Sequence, residues 1–249
     1  MSRLWPLTLL TAAVGVWELV VRAAHVPDYL VPAPSAIAST LGSDAGLLAS
    51  ATLVTLREVV LGYLLAVALA LALAVLLHFS DALRRALLPI LVLSQTVPTV
   101  VLAPVLAILL GYGITPKLVV VAIVCFFPIV VNTVDGLRST DAELVQMMRT
   151  LHGSRLAIFR RVEVPGALPA VFSGARIAAT YAAVGAVFGE WAGSSAGLGF
   201  VMLQAQPALL TARIFAAVLI LCALALGLYA VVSLAERVLI PWQTEVVHA

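Results

Sequence analysis

Long apolar runs dominate this chain and leave little choice of fold: 63–77, 87–110, 118–134 and 214–235. Several approach or exceed the roughly 20 residues that a helix needs to cross a bilayer. Composition supports the same reading. Of 249 residues, 63% are hydrophobic and 10% are charged, against roughly 25% charged in a soluble domain. A soluble chain of this length needs a polar surface that this composition cannot supply. The expectation is an all-α polytopic membrane protein, a single transmembrane domain over 1–249.

The pattern predicts six spans, near 4–21, 53–77, 87–110, 117–135, 174–192 and 212–235. Glu18 and Arg22 flank the end of the first run and no small-residue cleavage site follows, so a retained helix is preferred to a signal peptide. Pro32 and Pro34 punctuate the exit from that span, and a weakly amphipathic helix is expected to open at Pro34–Ser35. GYGITPK forms a turn-rich loop between the third and fourth spans. The stretch AGSSAGLGFVMLQAQPALLTAR, between the fifth and sixth, has room for a short interfacial helix.

Charge orients the spans. The chain has 14 lysines and arginines. With six spans, ten fall on the side that holds both termini and the loops near 78–86 and 136–173, and four fall on the other. Arg22, Arg57, Lys117 and Arg213 are the minority. Positive charge stays cytoplasmic, so both termini and the 136–173 loop are expected there. The net charge of +2 is too small to suggest nucleic acid.

That loop carries most of the polar side chains. Asp141 or its neighbours can cap a first short helix, with Glu143 in the first turn at the positive end of the helix dipole. Leu144, Met147, Met148 and Leu151 recur at spacings of three and four, which makes one apolar face. His152 and Gly153 end it. A second piece, 155–164, puts Leu156, Phe159 and Val162 on one side and Arg160 and Arg161 on another. Pro165 and Pro169 are expected to bound it, with the chain re-entering the membrane from Ser173. An apolar stripe rimmed by Arg149 and Arg155 suits a groove on another protein. The same shape could rest on anionic headgroups.

Chemistry is hard to find elsewhere. His25, His78, His152 and His248 are scattered and form no metal-ligand spacing. Cys125 and Cys222 lie in apolar runs. No phosphate-binding G-x-x-x-x-G-K-[ST] occurs, so nucleotide hydrolysis is not expected in this polypeptide. Ionisable residues in spans are costly and informative. Glu190 either lines a pathway or is a hydrogen-bonded structural carboxylate near the headgroups. Gln95, Thr96 and Thr99 form a polar patch around Pro98, which either breaks the third span and exposes carbonyls to a pathway or merely kinks it. Gly185 and Gly189 permit close helix approach, to a second copy or within the chain.

The ordered motifs resemble the permease subunit of bacterial binding-protein-dependent ABC importers, in the nitrate/sulfonate/taurine-type branch. They are LVPAPSAI after the first span, LSQTVPTVVLAPVLAILLGYG in the third, Val164-Pro165 to Leu168-Pro169 closing the loop, GEWAGSSAGLG and AERVLIPW. The loop departs from the branch pattern in two places, at four residues. Gln146, Met147 and Met148 stand where Glu-Ala-Ala is usual, and His152 stands where a glycine is expected. The resemblance implies a type I importer fold and no catalytic, cofactor or metal site in this chain. It implies a separate ATPase that uses ATP and magnesium and docks on the loop. It also implies a periplasmic or lipid-anchored binding protein, a second copy of the chain, and a bacterial inner-membrane location. The cargo would be a small nutrient, and the closing motifs look closest to pyrimidine-precursor importers. An ATP-independent secondary transporter or channel is the alternative.

Overall fold

Residues 5–243 are described by the structure, a computed structural model. Termini that bear on orientation, with Arg3 and His248, lie outside those residues. Helix follows helix, with no strand among the described residues. In order they are α1 (Trp5–Ala23), α2 (Pro34–Ser43), α3 (Ala45–Phe79), α4 (Asp81–Ser94), α5 (Thr99–Leu110), α6 (Ile114–Arg138), α7 (Ala142–Thr150) and α8 (Arg155–Ile158). A π-helical turn, Phe159–Glu163, then leads into α9 (Val164–Trp191), α10 (Leu198–Ala205) and α11 (Thr211–Leu239).

The centre is α6 packed along α9, with α3 against both and α11 on the outer side of α9. Small residues make this possible. Ala66, Ala70 and Ala74 of α3 and Ala178, Ala182 and Ala186 of α9 recur every four residues and are fully buried. Without a hydrophobic drive between helices in lipid, close backbone packing holds a bundle together. Gly185 and Gly189 serve that packing within the chain: a Cβ on either would lie 3.0 Å from Cα of Val121 or Lys117 on α6. A smaller cluster, with Ile37, Leu48, Leu198 and Ala216, joins α2, α10 and the starts of α3 and α11.

Three expectations are adjusted. Four helical runs are long and apolar enough to cross a membrane: α3, α6, 155–191 and α11; the pair α4 and α5 makes a fifth if counted as one broken span. The count of six is not reached on those grounds, because α1 is not among them. Its last turns are polar: Glu18 pairs with Arg22 at 2.5 Å and accepts from Ser35 N and Oγ at 3.0 and 2.8 Å, capping α2.

The third span breaks outright, with α4 and α5 meeting at 100°. Pro98 lacks a donor and its ring pushes Val97 out of the helical region. The intervening turn closes on Gln95 N to Val92 O, 3.1 Å, and Thr96 N to Leu93 O, 3.0 Å.

Pro165 and Pro169 do not stop the helix. The helical run continues from Arg155 to Trp191, with Pro165 in the first turn of α9 and Pro169 inside it. The π turn, closed by Val164 N to Phe159 O, widens the backbone directly ahead of Pro165. A wider turn relieves the conflict between a proline ring and the carbonyl one turn earlier. The span therefore begins well before the expected 174.

Candidate functional site

One end of the bundle gathers the loop residues. Asp141 caps α7 by accepting from Glu143 N at 2.8 Å. The helix stands proud of the bundle, with none of its residues buried. Leu144, Met147 and Leu151 are 46%, 53% and 70% exposed, and Met148 is half-buried beneath them. The turn that ends α7 is fully hydrogen-bonded: His152 N reaches Arg149 O at 3.0 Å and Gly153 N reaches Met148 O at 2.9 Å. That is the double bond of a Schellman end, which needs a left-handed residue just after the helix. His152 supplies it, at φ 56°, so the histidine does in this chain what a glycine does without strain.

Behind α7 lies a cavity of about 680 Å³, lined by His78, Arg84, Arg138, Arg149 and Glu163 among others. Arg155 faces the other way, its guanidinium 5.0 Å from the Phe79 ring centroid. His78 Nε2 donates to Glu163 Oε2 at 2.9 Å, and the Phe79 and Phe159 rings meet at 4.9 Å. Sequence reasoning missed this junction. The two partners are 85 residues apart, and only the shared depth of α3's end and α9's start could have hinted at it.

The broken span forms a second cavity of about 580 Å³. Gln95 and Thr99 line it with Phe127 and Asn132 of α6 and Tyr181 of α9. No lining side chain carries a charge at neutral pH. Thr96 is not part of the lining; its hydroxyl donates back to Leu93 O at 2.8 Å.

Glu190 lies elsewhere, at the bundle end opposite α7, and is fully buried. Thr55 Oγ1 donates to its Oε1 at 2.6 Å, and Gly199 N and Phe200 N donate to Oε2 at 2.5 and 3.3 Å. The carboxyl group thus sits on the first turn of α10, where it takes up N–H groups that have no partner within the helix. Next to it Lys117 Nζ pairs with Glu58 Oε1 at 2.7 Å and donates to Ser194 Oγ at 2.7 Å. Lys117 was not linked to Glu58 from sequence. Both open their spans on the same membrane side, and that was the available signal. His, Cys, Asp and Glu form no metal-holding group among the described residues.

The bundle thus carries an exposed amphipathic helix at one end and an uncharged cavity at the broken span. The family model described as "Binding-protein-dependent transport system inner membrane component" matches residues 59–244. A formylaminopyrimidine transport permease protein, ThiX, of Halalkalibacterium halodurans is 34% identical over 92% of this chain and 91% of its own. A riboflavin transport system permease protein, RibX, of Chloroflexus aurantiacus is 36% identical over 96% and 89%. Among solved structures, the MetNI methionine ABC transporter in an inward-facing conformation superposes with a TM-score of 0.69 at 19% identity, over 79% of this chain and 97% of that one. That likeness carries the type I importer permease fold. Membership sets aside the ATP-independent carrier or channel. The chain belongs to the family of binding-protein-dependent transport system inner membrane components, and it is the multi-pass transmembrane subunit of an ATP-driven importer.

Proposed function

We propose that α7 and the turn after it are the docking element for a separate ATPase subunit, which binds ATP and magnesium and does the hydrolysis. One observation carries this reading: α7 and its C-cap hold Leu144, Met147 and Leu151 in the open, and no residue of α7 is buried by the rest of the chain. A face of that kind fits a groove on a partner, with Arg149 and Arg155 at its border. An ATPase works in the cytoplasm, so the loop and the end of α11 lie on the cytoplasmic side of a bacterial inner membrane, as the distribution of basic residues also argues; α1, as a sixth crossing, would bring the N-terminal end to the same side. One chain offers one docking helix. Two copies around a shared pathway, each with an ATPase, is the economical symmetric assembly.

Met147→Asp tests this. The residue is exposed, so the chain should still fold and insert. In the complex it places an unpaired carboxylate in a desolvated contact, a cost of about 3–5 kcal/mol. Purified wild-type protein should bring down ATPase in an assembly whose intact mass holds two copies of this chain, and Met147→Asp should bring down less than a tenth as much. A helix that merely rests on headgroups leaves ATPase recovery unchanged, and that result overturns the reading.

We further infer that cargo crosses at the α4–α5 break and is an uncharged, flat solute with hydrogen-bonding edges. The amides of Gln95 and Asn132 beside the rings of Phe127 and Tyr181 suit a heteroaromatic molecule. No lining cation is present to receive a sulfonate. ThiX and RibX, both named for heteroaromatic cargo, support the same choice. A binding protein on the outer face delivers the cargo and sets most of the selectivity.

A further inference from the structure

We propose that His78 and Glu163 are positioning residues of the transport cycle, clamping the π turn behind the docking loop to the end of α3 so that loop movement reaches α3 as well as α9. This rests on the reading of α7 as the ATPase docking element.

The contacts across the junction are one-sided in a revealing way. From the loop side come Arg155, Phe159 and Glu163, spaced by four and therefore on one helical face. From α3 come its last two residues, His78 and Phe79. Arg155 lies over the Phe79 ring at 5.0 Å, and its Nη2 donates to Phe79 O at 3.4 Å. Phe159 meets Phe79 at 4.9 Å and the His78 ring at 5.4 Å. Glu163 closes the row on His78 Nε2 at 2.9 Å, with the two side chains 18% and 13% exposed. A pair so shielded is less screened than a surface ion pair.

The place of the clamp matters more than its strength. The π turn is the one irregular stretch in the helical run from Arg155 to Trp191. A widened turn has poorer hydrogen bonding and is the compliant point of a long helix. A push on α7 would be absorbed there unless the turn were held from the side. His78 and Glu163 hold it at its last residue, where α9 starts. They also tie it to α3, whose 35 residues span about 52 Å at 1.5 Å per residue. One movement of the loop is thus delivered to the two spans that pack on α6.

The test needs only ATP. In purified permease–ATPase complexes with Cys125 and Cys222 replaced, a cysteine at Gln95→Cys reports access to the cavity through its rate of labelling by a water-soluble maleimide. Trapping with magnesium, ATP and vanadate should change that rate at least fivefold in the parent. In His78→Ala and in Glu163→Leu, ATPase recovery and ATP hydrolysis should stay within twofold of the parent while the labelling change shrinks below twofold. Glu163→Gln keeps an oxygen to accept the His78 N–H and should keep most of the change. A role confined to stability moves hydrolysis and labelling together instead of separating them. A full labelling change in both disabled variants overturns the proposal, and so does loss of ATPase recovery, which would make the pair part of the docking surface. The docking reading fails by a different result, full ATPase recovery with Met147→Asp.

Discussion

Glu190 shows what a single ionisable residue in a span requires. Its two oxygens accept from one hydroxyl, on Thr55, and from two backbone N–H groups at the start of α10. The chain reaches that geometry only by passing through Gly197 at φ 112°, ψ 169°, a region open essentially to glycine. An added Cβ there would run into the Glu190 carboxylate. Gly197→Ala should therefore destabilise the protein by about 1–3 kcal/mol from backbone strain, with the clash added. Thermal unfolding in detergent measures it. The double variant Glu190→Ala/Gly197→Ala removes the clash but not the strain, so its loss should be smaller than the sum of the single losses. Simple additivity would mean that the two residues do not meet. In sequence Glu190 stands out because a carboxylate among apolar residues is costly. Its partners do not, because a threonine 135 residues away and two peptide groups leave no mark in composition or periodicity.

Among the elements, the end of α7 is the most instructive. Periodicity predicts the helix and its apolar face, and the structure has both. His152 looks like a departure from the family pattern when read as a letter. In three dimensions it takes the left-handed conformation the turn needs, at φ 56°. An L-residue other than glycine pays about 1–2 kcal/mol to sit there. His152→Gly should return about 1 kcal/mol of that, less the extra entropy of a glycine in the unfolded chain. Slower hydrogen exchange at Leu151 N and Gly153 N would register the gain. Unchanged or faster exchange would mean that the histidine side chain contributes something the backbone argument omits. The two proline-marked segments behave oppositely for a readable reason. Pro98 breaks its span after a tight turn, in which Gln95 N and Thr96 N bond three residues back, and is itself extended at ψ 116°. Pro165 is absorbed because a π turn precedes it, and a π turn has no sequence signature of its own.

For the whole molecule, the passage proposed at the broken span sets the expected cargo. Cells that carry this chain with its ATPase and binding protein should accumulate a labelled aminopyrimidine alcohol. A hundredfold excess of taurine should leave that uptake unchanged, because the lining offers amides and rings and no cation for a sulfonate. Taurine accumulation without aminopyrimidine uptake would reverse the assignment. The same cavity opens on a face where Ile177 and Tyr181 are exposed.

Hydrophobicity and helical period are local or summed properties, and they were enough to reveal a helical membrane protein with a short amphipathic helix at 142–150 and a polar patch at Pro98. The ordered motifs were enough for the family. Tertiary structure alone decided the angle of the broken span, the continuity of the helix through Pro165, and the pairings Glu58–Lys117, His78–Glu163 and Glu190–Thr55. These depend on which faces of distant helices meet at one depth. In a bundle of nearly uniform apolar surface, that register is set by where alanine and glycine let backbones approach. Packing between helices, summed over the whole bundle, chooses it, and no single stretch of sequence contains it.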